Sequence, residues 1–427
     1  MRRYESYKDS GVEWLGEVPS HWGLTIGMNV FRENKRDNKG MKEKTVLSLS
    51  YGQIIIKPEE KLVGLVPESF ETYQIVEPND IIIRCTDLQN DQTSLRTGLA
   101  KDKGIITSAY LNLKVINNHS AKFLHYYLHT LDITKVLYKF GSGLRQNLSF
   151  LDFKRLPIID IPLSEQQKIA QFLDDKTAKI DQAVDLAEKQ IALLKEHKQI
   201  LIQNTVTRGL NPDVPLKDSG VEWIGQVPEH WEVVSMKRVI KEHSGNGFPI
   251  DLQGNNGSIP FLKVSDFSEN QDKYIFKWNN SVTNKVIKQK KWNIVPKNSI
   301  VTAKIGEALR KNHRKILSID SIIDNNCLGI EIKKADVLFG YYLHCALDFD
   351  LFTNPGAIPS LAMDKYRNQK IALPPFQEQQ QITDYLDAQT AKIDQAISLK
   401  TAHIEKLKEY KSVLINDVVT GKVRVSV

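Results

Sequence analysis

The most constraining feature of this sequence is an internal repeat. Residues 8–22 read KDSGVEWLGEVPSHW, and residues 217–231 read KDSGVEWIGQVPEHW. Further along, Glu165–Ala183 returns as Glu378–Ala396, and the tetrapeptide YYLH also occurs twice. A period of roughly 210 residues is too long for a solenoid and indicates a duplicated domain. Because the stretches between the matching blocks differ, the repeat predicts one scaffold that carries two different recognition surfaces.

Composition is that of an ordinary globular protein. The chain has 427 residues, of which 41% are hydrophobic and 26% charged, so each half can bury its own core. We expect a cytoplasmic protein, since no apolar run is long enough to cross a bilayer and the N-terminus lacks the apolar core of a signal peptide. The three cysteines have no metal-type spacing, which predicts free thiols. The net charge of +7 permits an acidic partner without requiring one.

Short β-like runs separated by turn residues follow each tryptophan block. The predicted strands are Thr45–Leu49, Ile54–Ile56, Asp80–Arg84 and Leu111–Ile116 in the first half, and Pro260–Val264, Ser299–Ala303 and Gly329–Lys333 in the second. A helix is predicted after them in each half, at Ala121–Phe140 and at about Ala335–Phe349. Each half is therefore expected to hold a mixed α/β domain of roughly 140 residues.

A long helix is predicted after each globular domain. The first has a capping-box pattern, with Ser164 as N-cap and Gln167 three residues later, and no Gly or Pro follows until about Asn204. Apolar residues recur in both helices with the spacing of a coiled coil, with Lys198 and Lys411 at equivalent seam positions. The predicted interface residues are Leu173, Ile180, Val184, Ile191, Leu194, Leu201, Leu386, Ile393, Ile397, Ile404, Leu407 and Leu414.

Three arrangements could bury this apolar seam. Each helix could pack on its own domain, two chains could form a dimer, or the two helices of one chain could pair antiparallel. Sevenfold spacing favours helix-on-helix packing, and pairing within one chain is the simplest solution. We therefore predict an α/β (α+β) fold with a pseudo-twofold repeat, in which two globular domains are separated by two long helices that pair as an intramolecular antiparallel coiled coil. The predicted segments are 1–160, 161–209, 210–372 and 373–427.

The pattern resembles the specificity subunit of type I restriction–modification enzymes. The block SG-x-EW-x-G-x-VP-x-HW, at Ser10–Trp22 and Ser219–Trp231, is similar to the segment before each target-recognition domain of that family. The helices that begin with Glu165-Gln166 and Glu378-Gln379 look like its spacer regions. The resemblance covers essentially the whole chain.

The resemblance implies a set of partners and a division of labour. Each target-recognition domain would read one half of a bipartite, asymmetric site in double-stranded DNA, and the paired helices would fix the distance between the halves. Two DNA methyltransferase subunits, which use S-adenosylmethionine, would dock on the repeated elements, and ATP-dependent translocase–endonuclease subunits would join them. The specificity subunit itself would hold no cofactor or metal and perform no chemistry. A membrane partner is not expected.

Two loops in each domain carry the side chains that read base edges. They are Arg84–Arg96 and Gly141–Ser149 in the first domain, and Ala303–Lys315 and Asn354–Leu361 in the second. The candidate DNA-binding residues are Arg84, Thr86, Asp87, Gln89, Asn90, Arg96, Ser142, Arg145, Gln146, Asn147, Lys304, Arg310, Lys311, Asn312, His313, Arg314 and Ser360. The basic run Lys285–Lys291 is a candidate phosphate contact. The repeated tryptophans belong to the scaffold, so we expect them to anchor it or to form a docking surface.

The sequence gives little support to an enzyme. It has neither the Gly-rich loop and Asn/Asp-Pro-Pro-aromatic motif of a DNA methyltransferase nor the phosphate-binding loop GxxxxGK[ST]. Two other classes stay open at this point. One is a DNA-binding regulator or bridging protein that acts alone, and the other is a coiled-coil adaptor that does not bind DNA.

Overall fold

The structure is a computed structural model that describes residues 2–58, 60, 69–91, 93–141, 146–354, 356 and 358–425. It divides into two compact units. Unit 1 comprises Met1–Glu188 and Thr401–Val427, and unit 2 comprises Lys189–Lys400. In the described residues, no helix is both long enough and apolar enough to cross a membrane.

Unit 1 is built from short strands and from helices. Its strands are β1 Tyr7–Asp9, β2 Glu17–Pro19, β3 Gly23–Ile26, β4 Phe31–Glu33, β5 Leu47–Ser50, β6 Gln53–Ile56, β7 Gln74–Val76, β8 Ile81–Ile83, β9 Thr97–Leu99, β10 Gly104–Ile106, β11 Leu111–Val115 and β12 Pro157–Asp160. Its helices are α1 Ala121–Ile133, α2 Phe150–Arg155, the first part of α3 Leu163–Arg208, and the C-terminal part of the second long helix of the chain. We call α3 the first spacer helix.

Unit 2 repeats this order with additional elements. Its strands are β13 Leu216–Asp218, β14 Gln226–Pro228, β15 Glu232–Ser235, β16 Ile240–Ser244, β17 Ile259–Leu262, β18 Tyr274–Ile275, β19 Ser281–Val282, β20 Ile300–Ala303, β21 Lys315–Leu317, β22 Ile322–Ile323, β23 Cys327–Ile332, β24 Thr353–Asn354, β25 Ser360–Leu361 and β26 Lys370–Leu373. Its helices are the end of α3, then α4 Val264–Glu269, α5 Asn284–Lys290, α6 Val337–Ala346, α7 Met363–Asn368 and the first part of α8 Phe376–Val419. We call α8 the second spacer helix.

The central sheets of the two units have the same topology. Strand order is β4-β11-β8-β9 in unit 1 and β16-β23-β20-β21-β18 in unit 2. The register is equivalent, since Leu113 pairs with Ile81 in one and Ile330 with Ile300 in the other. The inner strands β11 and β8 of unit 1 and β23 and β20 of unit 2 are largely buried, and α1 or α6 packs into the same core. The predicted strands are therefore found in both halves.

Unit 2 carries an extra layer between β17 and β20. It contains α4, β19 and α5, together with β18 at the edge of the central sheet, and it packs on neighbouring strands in two small apolar clusters that include Phe267 and Phe261. At the matching place, the part of unit 1 that the structure describes has no α-helix and only one 3-10 turn, Phe70–Thr72. The predicted helix Ala121–Phe140 ends at Ile133, because Lys135 adopts a left-handed backbone with φ of +63°.

The predicted N-cap of the first spacer helix is wrong by two residues. The Pro162 carbonyl accepts the N–H groups of Glu165 and Gln166 at 2.9 and 3.0 Å, so Pro162 is the N-cap and Ser164 lies inside the helix. A proline carbonyl can cap because only its N–H is missing. Gly209, with φ of +75°, ends the helix, and Gly421, with φ of +79°, follows the end of α8.

The two spacer helices pair antiparallel within one chain, as predicted. In unit 2, Lys400 Nζ donates to Gln190 Oε1 at 2.6 Å and Lys198 Nζ donates to Asp394 at 2.7 Å. Residue numbers therefore rise along one helix in the direction in which they fall along the other. In unit 1, Leu173 and Ile180 share an apolar cluster with Leu414. All of the predicted seam residues are buried or half-buried and alternate with exposed ones. The four-segment division of the chain stays a proposal, since each unit contains part of both helices.

Candidate nucleic-acid interface

The repeated tryptophan block anchors the chain to the start of each spacer helix. Trp22 is fully buried, and its indole N–H donates to Glu165 Oε1 at 3.1 Å. In unit 2, the indole N–H of Trp231 donates to Glu378 Oε2 at 3.0 Å. The histidine before each tryptophan contacts the same carboxylate, at 3.3 and 2.9 Å. These two tryptophans are therefore anchors, and their rings are not available to stack on bases.

The glutamine of each Glu-Gln pair ties the domain helix to the spacer helix. Gln166 Oε1 accepts the backbone N–H of Ser120, the N-cap of α1, at 2.8 Å. Gln379 Oε1 accepts the N–H of Asp336, the N-cap of α6, at 2.7 Å. Each glutamine also donates to a carbonyl just before its own helix, at 2.9 and 2.8 Å. The Glu-Gln pair thus explains why the repeat keeps these two residues together.

The tetrapeptide YYLH occurs in α1 from Tyr126 and in α6 from Tyr341. An alignment of the identical letters is shifted by one residue from the alignment that the structure gives. The Tyr126 hydroxyl donates to Asp174 Oδ1 of the first spacer helix at 2.9 Å. The equivalent Asp387 of the second spacer helix accepts from Tyr342. The first tyrosine of one motif therefore corresponds to the second tyrosine of the other.

The two loops predicted to read DNA in the first domain lie side by side. The Leu148 N–H donates to the Cys85 carbonyl at 2.9 Å, and Asn147 Oδ1 accepts the Asp87 N–H at 2.9 Å. We call residues 84–96 and 141–149 the first loop pair. Thr86, Gln89, Asn90, Gln146 and Asn147 are exposed, and Arg84 and Asp87 are half-buried. Ser142 and Arg145 lie outside the described residues.

The second loop pair, residues 303–315 and 354–361, has the same arrangement. The Leu361 N–H donates to the Lys304 carbonyl at 2.9 Å, and the Gly306 N–H donates to the Pro359 carbonyl at 2.8 Å. Arg310, Lys311 and Asn312 are exposed, and Lys304, His313 and Ser360 are half-buried. In both units, segments about 50 to 60 residues apart therefore meet at the end of the same strand of the central sheet.

Arg96 is a correction to the predicted contact residues. Its side chain is fully buried, and its guanidinium donates to four backbone carbonyls of its own loop, those of Arg84, Thr86, Asp87 and Asp91. Its Nε–H donates to a tyrosine hydroxyl at 2.9 Å. Since a guanidinium has five donors in a fixed fork, Arg96 holds the loop in shape and does not reach a base.

Arg314 is a second correction. It is buried, its guanidinium lies 3.7 Å from the ring centroid of Phe349, and it donates to Thr302 Oγ1 at 3.1 Å and to Asn312 Oδ1 at 3.0 Å. Burial lowers the pKa of Arg314 to about 10, which leaves it charged at neutral pH. Sequence reasoning missed both roles because the residue type alone does not tell a buried arginine from an exposed one.

The two loop pairs differ in charge. In the first, Arg84 pairs with Asp91 at 3.2 Å, and hydrogen bonds from Ser94 lower the pKa of Asp91 to about 2. In the second, Arg310 lies 3.5 Å from both Glu307 and Asp350. The second loop pair is the more basic of the two, because it also carries the half-buried Lys304 and the exposed Lys311.

A separate basic surface lies on α5 in unit 2. The lysines of the run Lys285–Lys291 are exposed, and none of them has an ion pair with a described residue. Lysine side chains that project freely from a short helix can hold DNA phosphates without reading sequence. Elsewhere in the described chain, no group of three or more His, Cys, Asp or Glu residues is placed to hold a metal ion. Cys85, Cys327 and Cys345 are free thiols.

One exposed aromatic beside the first loop pair has no place among the predicted contacts. Tyr51 lies at the tip of the hairpin formed by β5 and β6 and is 93% exposed. The sequence holds a usable signal, since two predicted strands flank the dipeptide Tyr51-Gly52. The hairpin could have been recognised, but its position next to Arg84–Arg96 could not.

The fold and the paired loops define a class: a duplicated α/β protein in which each domain is fastened to its own long spacer helix. The family model of the type I restriction modification DNA specificity domain matches residues 30–195 and again residues 228–409. The chain belongs to the family of type I restriction–modification specificity subunits.

Curated relatives and solved structures agree with this assignment. A specificity subunit of Methanocaldococcus jannaschii, named for the type I restriction enzyme MjaX, is 24% identical over 96% of both chains. The MjaVIII specificity subunit of the same organism is 26% identical over 82% of this chain and 80% of its own. A chain from a structure on complex assembly and conformational transition of the type I R-M system has a TM-score of 0.71, at 14% identity, over 95% of this chain and 99% of that one. The HsdS subunit of Thermoanaerobacter tengcongensis has a TM-score of 0.50, at 15% identity, over 95% and 98%.

Proposed function

We propose that this specificity subunit reads a bipartite, asymmetric DNA site, with one half read by each loop pair. The observation that carries the proposal is that both units bring two distant loops together at the end of the same strand, while the exposed residues of those loops differ. Gln89, Asn90 and Asn147 in the first pair can make bidentate contacts with adenine, and Arg310 and Lys311 in the second can contact guanine. Unlike side chains on like scaffolds favour two different half-sites.

The paired spacer helices are proposed to set the distance between the half-sites. Half-sites about one helical turn apart are roughly 34 Å from each other on one face of DNA, and a flexible linker would blur that distance. The ion pairs Lys198–Asp394 in unit 2 and Asp181–Lys411 in unit 1 support this role, because they join repeat-equivalent residues of the two helices. An antiparallel pairing held at two equivalent points resists sliding.

Two methyltransferase subunits are proposed to dock on repeated positions of the spacer helices. Leu186 and its repeat equivalent Leu399 are exposed to 58% and 65%, and the equivalent pair Ile200 and Val413 is also exposed. Exposed apolar side chains at matching places favour the same partner binding twice. They also favour this function over that of a regulator that acts alone.

Catalysis is assigned to the partners. The methyltransferase subunits would supply the S-adenosylmethionine site, and ATP-dependent translocase–endonuclease subunits would join the complex for cleavage. Docking is tested by co-purification: Leu186→Glu and Leu399→Glu should each lose one of two methyltransferase copies, and the double variant should lose both. Retention of both copies by the double variant would remove these positions from the dock.

Target reading is tested by mapping methylated positions in host DNA at single-base resolution. Replacing residues 23–160 with the corresponding domain of another family member should change one half-site and leave the other half-site and the spacing intact. A change in both halves would contradict modular reading. Affinity of the chain for its duplex should also fall steeply as salt rises, because phosphate contacts release counterions. Affinity that does not respond to salt would contradict DNA binding by these surfaces.

A further inference from the structure

The hairpin of β5 and β6 ends in a turn whose first residue, Tyr51, has a backbone conformation that is unfavourable for a tyrosine. Ser50 pairs with Gln53, so Tyr51 and Gly52 form a two-residue loop, with φ of +47° and +76°. Positive φ at both positions is the type I′ turn, for which Asn-Gly is the preferred sequence. A tyrosine in the left-handed region carries a conformational cost of about 1 kcal/mol or more.

The Tyr51 side chain makes no contact with the described part of the chain that would offset this conformational cost. It is 93% exposed, and among the described residues its hydroxyl makes no hydrogen bond and its ring no aromatic contact. The next most exposed large apolar side chain of the described chain is Ile250, at 87%. A residue that costs backbone energy and buries no surface points to a role outside the free protein.

The hairpin tip is seated against the first loop pair. A Cβ atom on Gly52 would lie 3.0 Å from Leu95 Cδ1 and 3.6 Å from the His129 ring, so the turn backbone packs directly on the end of loop 84–96. The opposite face of the hairpin is fixed in the core, because Leu47 and Ile54 share a buried cluster with Ile82 of the central sheet. Tyr51 is therefore held rigidly next to the surface proposed to read DNA.

We propose that Tyr51 is a DNA-contacting residue that places its ring against a base or between two bases at the edge of the first half-site. Aromatic rings stack on any base, and apolar or aromatic wedges inserted at base steps are a known way to fix a protein on DNA. A ring held on a rigid hairpin loses little freedom on binding. This inference rests on the proposed function, since it assigns one more contact to the same reading surface.

The test separates contact from folding because the two effects have opposite signs. Tyr51→Asn and Tyr51→Gly both install residues that the turn prefers, so the melting temperature should stay level or rise. Affinity for a duplex carrying the sequence that the full wild-type chain selects from a random library should fall about 10-fold or more, the effect of losing one base–aromatic stack. Tyr51→Phe should retain most of the affinity, since it keeps the ring.

Controls define where the effect acts. Tyr410→Gln removes another exposed tyrosine of unit 1, on the second spacer helix, and should leave the affinity unchanged. With the first half-site scrambled, wild type and Tyr51→Asn should bind equally, whereas scrambling the second half-site should preserve their difference. In wild type, nitration of Tyr51, followed by mass spectrometry, should be slowed by the selected duplex and not by a scrambled one.

Failure of the proposed function and failure of the Tyr51 proposal give different results. Wild-type binding that is weak and insensitive to salt and sequence would defeat the proposed function itself. Wild-type binding that is specific, together with unchanged affinity of Tyr51→Asn and Tyr51→Gly or with unprotected nitration of Tyr51, would overturn only the role of this tyrosine.

Discussion

Equivalent contacts hold the scaffold in the two units, whereas different contacts hold their loops. Each fixes a tryptophan on a spacer-helix glutamate, and in each the next glutamine accepts the N–H of the N-cap residue of the helix in its globular domain. By contrast, the exposed residues of the two loop pairs share neither charge nor sequence. The comparison teaches that the repeat preserves the attachment of a domain to its helix. The loops can differ because, among the described residues, no hydrogen bond or ion pair joins an exposed loop side chain to a tryptophan block or a spacer helix.

Both units stiffen the loop with a buried arginine, but by different bonds. Arg96 binds backbone carbonyls of residues 84–91, so it fixes the shape of the loop whatever side chains the loop carries. Arg314 stacks on Phe349 and donates to the side chains of Thr302 and Asn312, in addition to the carbonyls of His313 and Leu347. Within its own loop Arg96 therefore binds only backbone, whereas the contacts of Arg314 include one loop side chain, that of Asn312.

The largest expected effect follows from removing the first of these arginines. Arg96→Met leaves backbone carbonyls of the loop without donors in a buried place, which should lower the free energy of unfolding by about 4 kcal/mol. Recognition of the first half-site should be lost, while discrimination at the second is kept. Urea unfolding and binding to duplexes with one half-site scrambled measure the two effects.

The matched control for Arg96 exchanges a loop side chain in each unit. Gln89→Ala is expected to leave the stability of unit 1 within about 0.5 kcal/mol. Asn312→Ala should destabilise unit 2 by about 1 kcal/mol or more, because the Asn312 amide bonds Arg314, Asp348 and the Phe349 N–H. Equal losses at the two positions would contradict the distinction between a backbone clamp and a side-chain clamp.

The next prediction is that a fall in pH lowers the stability of unit 1 more than that of unit 2. Burial lowers the pKa of His125 to about 3 and of His129 to about 4 in unit 1, and burial lowers the pKa of His344 in unit 2 to about 4. The unfolded chain binds protons near pH 6.5, so this stability is present above that pH and is lost as pH falls toward the folded pKa values. Between pH 7 and pH 5.5 each histidine should cost about 1 kcal/mol.

Hydrogen exchange of the equivalent strands β8 and β20 measures this difference. Exchange in unit 1 should accelerate more between pH 7 and pH 5.5, after correction for the intrinsic pH dependence of exchange, and His125→Gln should reduce that acceleration. In unit 2, the half-buried His313, whose pKa burial also lowers, adds to the effect of His344. A steeper acid response in unit 2 than in unit 1 would contradict the assignment.

Sequence reasoning reached the periodic and repeated features and failed where distant segments decide the outcome. Heptad spacing identified the antiparallel helices because the seam repeats along the chain. The burial of Arg96 could not be read, since it depends on Asp132 and Tyr138, which the fold brings to the loop from α1 and the turn after it. The identical letters of YYLH misaligned α1 and α6, because the spacer-helix aspartate selects Tyr126 in one and Tyr342 in the other.

A smaller effect tests whether the scaffold contacts are equal in the two copies. Trp22→Phe and Trp231→Phe keep most of the ring and remove the N–H that donates to Glu165 or Glu378. Because a hydrogen bond to a charged group is lost, each should lower stability by about 1.5 kcal/mol, beside a smaller packing loss. Urea unfolding should give similar values for the two variants. A large difference between them would show that the repeat keeps the sequence without keeping its energetic role.

The smallest expected effect concerns the register of the spacer helices. Lys198 and Lys411 each keep about 30% of their side chain exposed, and each reaches an aspartate of the other helix at 2.7 or 2.6 Å. Such partly exposed pairs contribute about 0.5 kcal/mol each, which salt should weaken. Replacing both lysines with isoleucine fills apolar seam positions, so unfolding should become slightly harder even though two ion pairs are lost. If the ion pairs specify the register of the helices, the double isoleucine variant should pair its helices in more than one register. This would be seen as a broadened spacing between methylated half-sites or as an altered oligomeric state. A separate variant that exchanges the charges, Lys198→Asp with Asp394→Lys, should keep the wild-type spacing and the wild-type oligomeric state. Unchanged spacing and unchanged oligomeric state in the isoleucine variant would show that the apolar seam alone fixes how the helices pair.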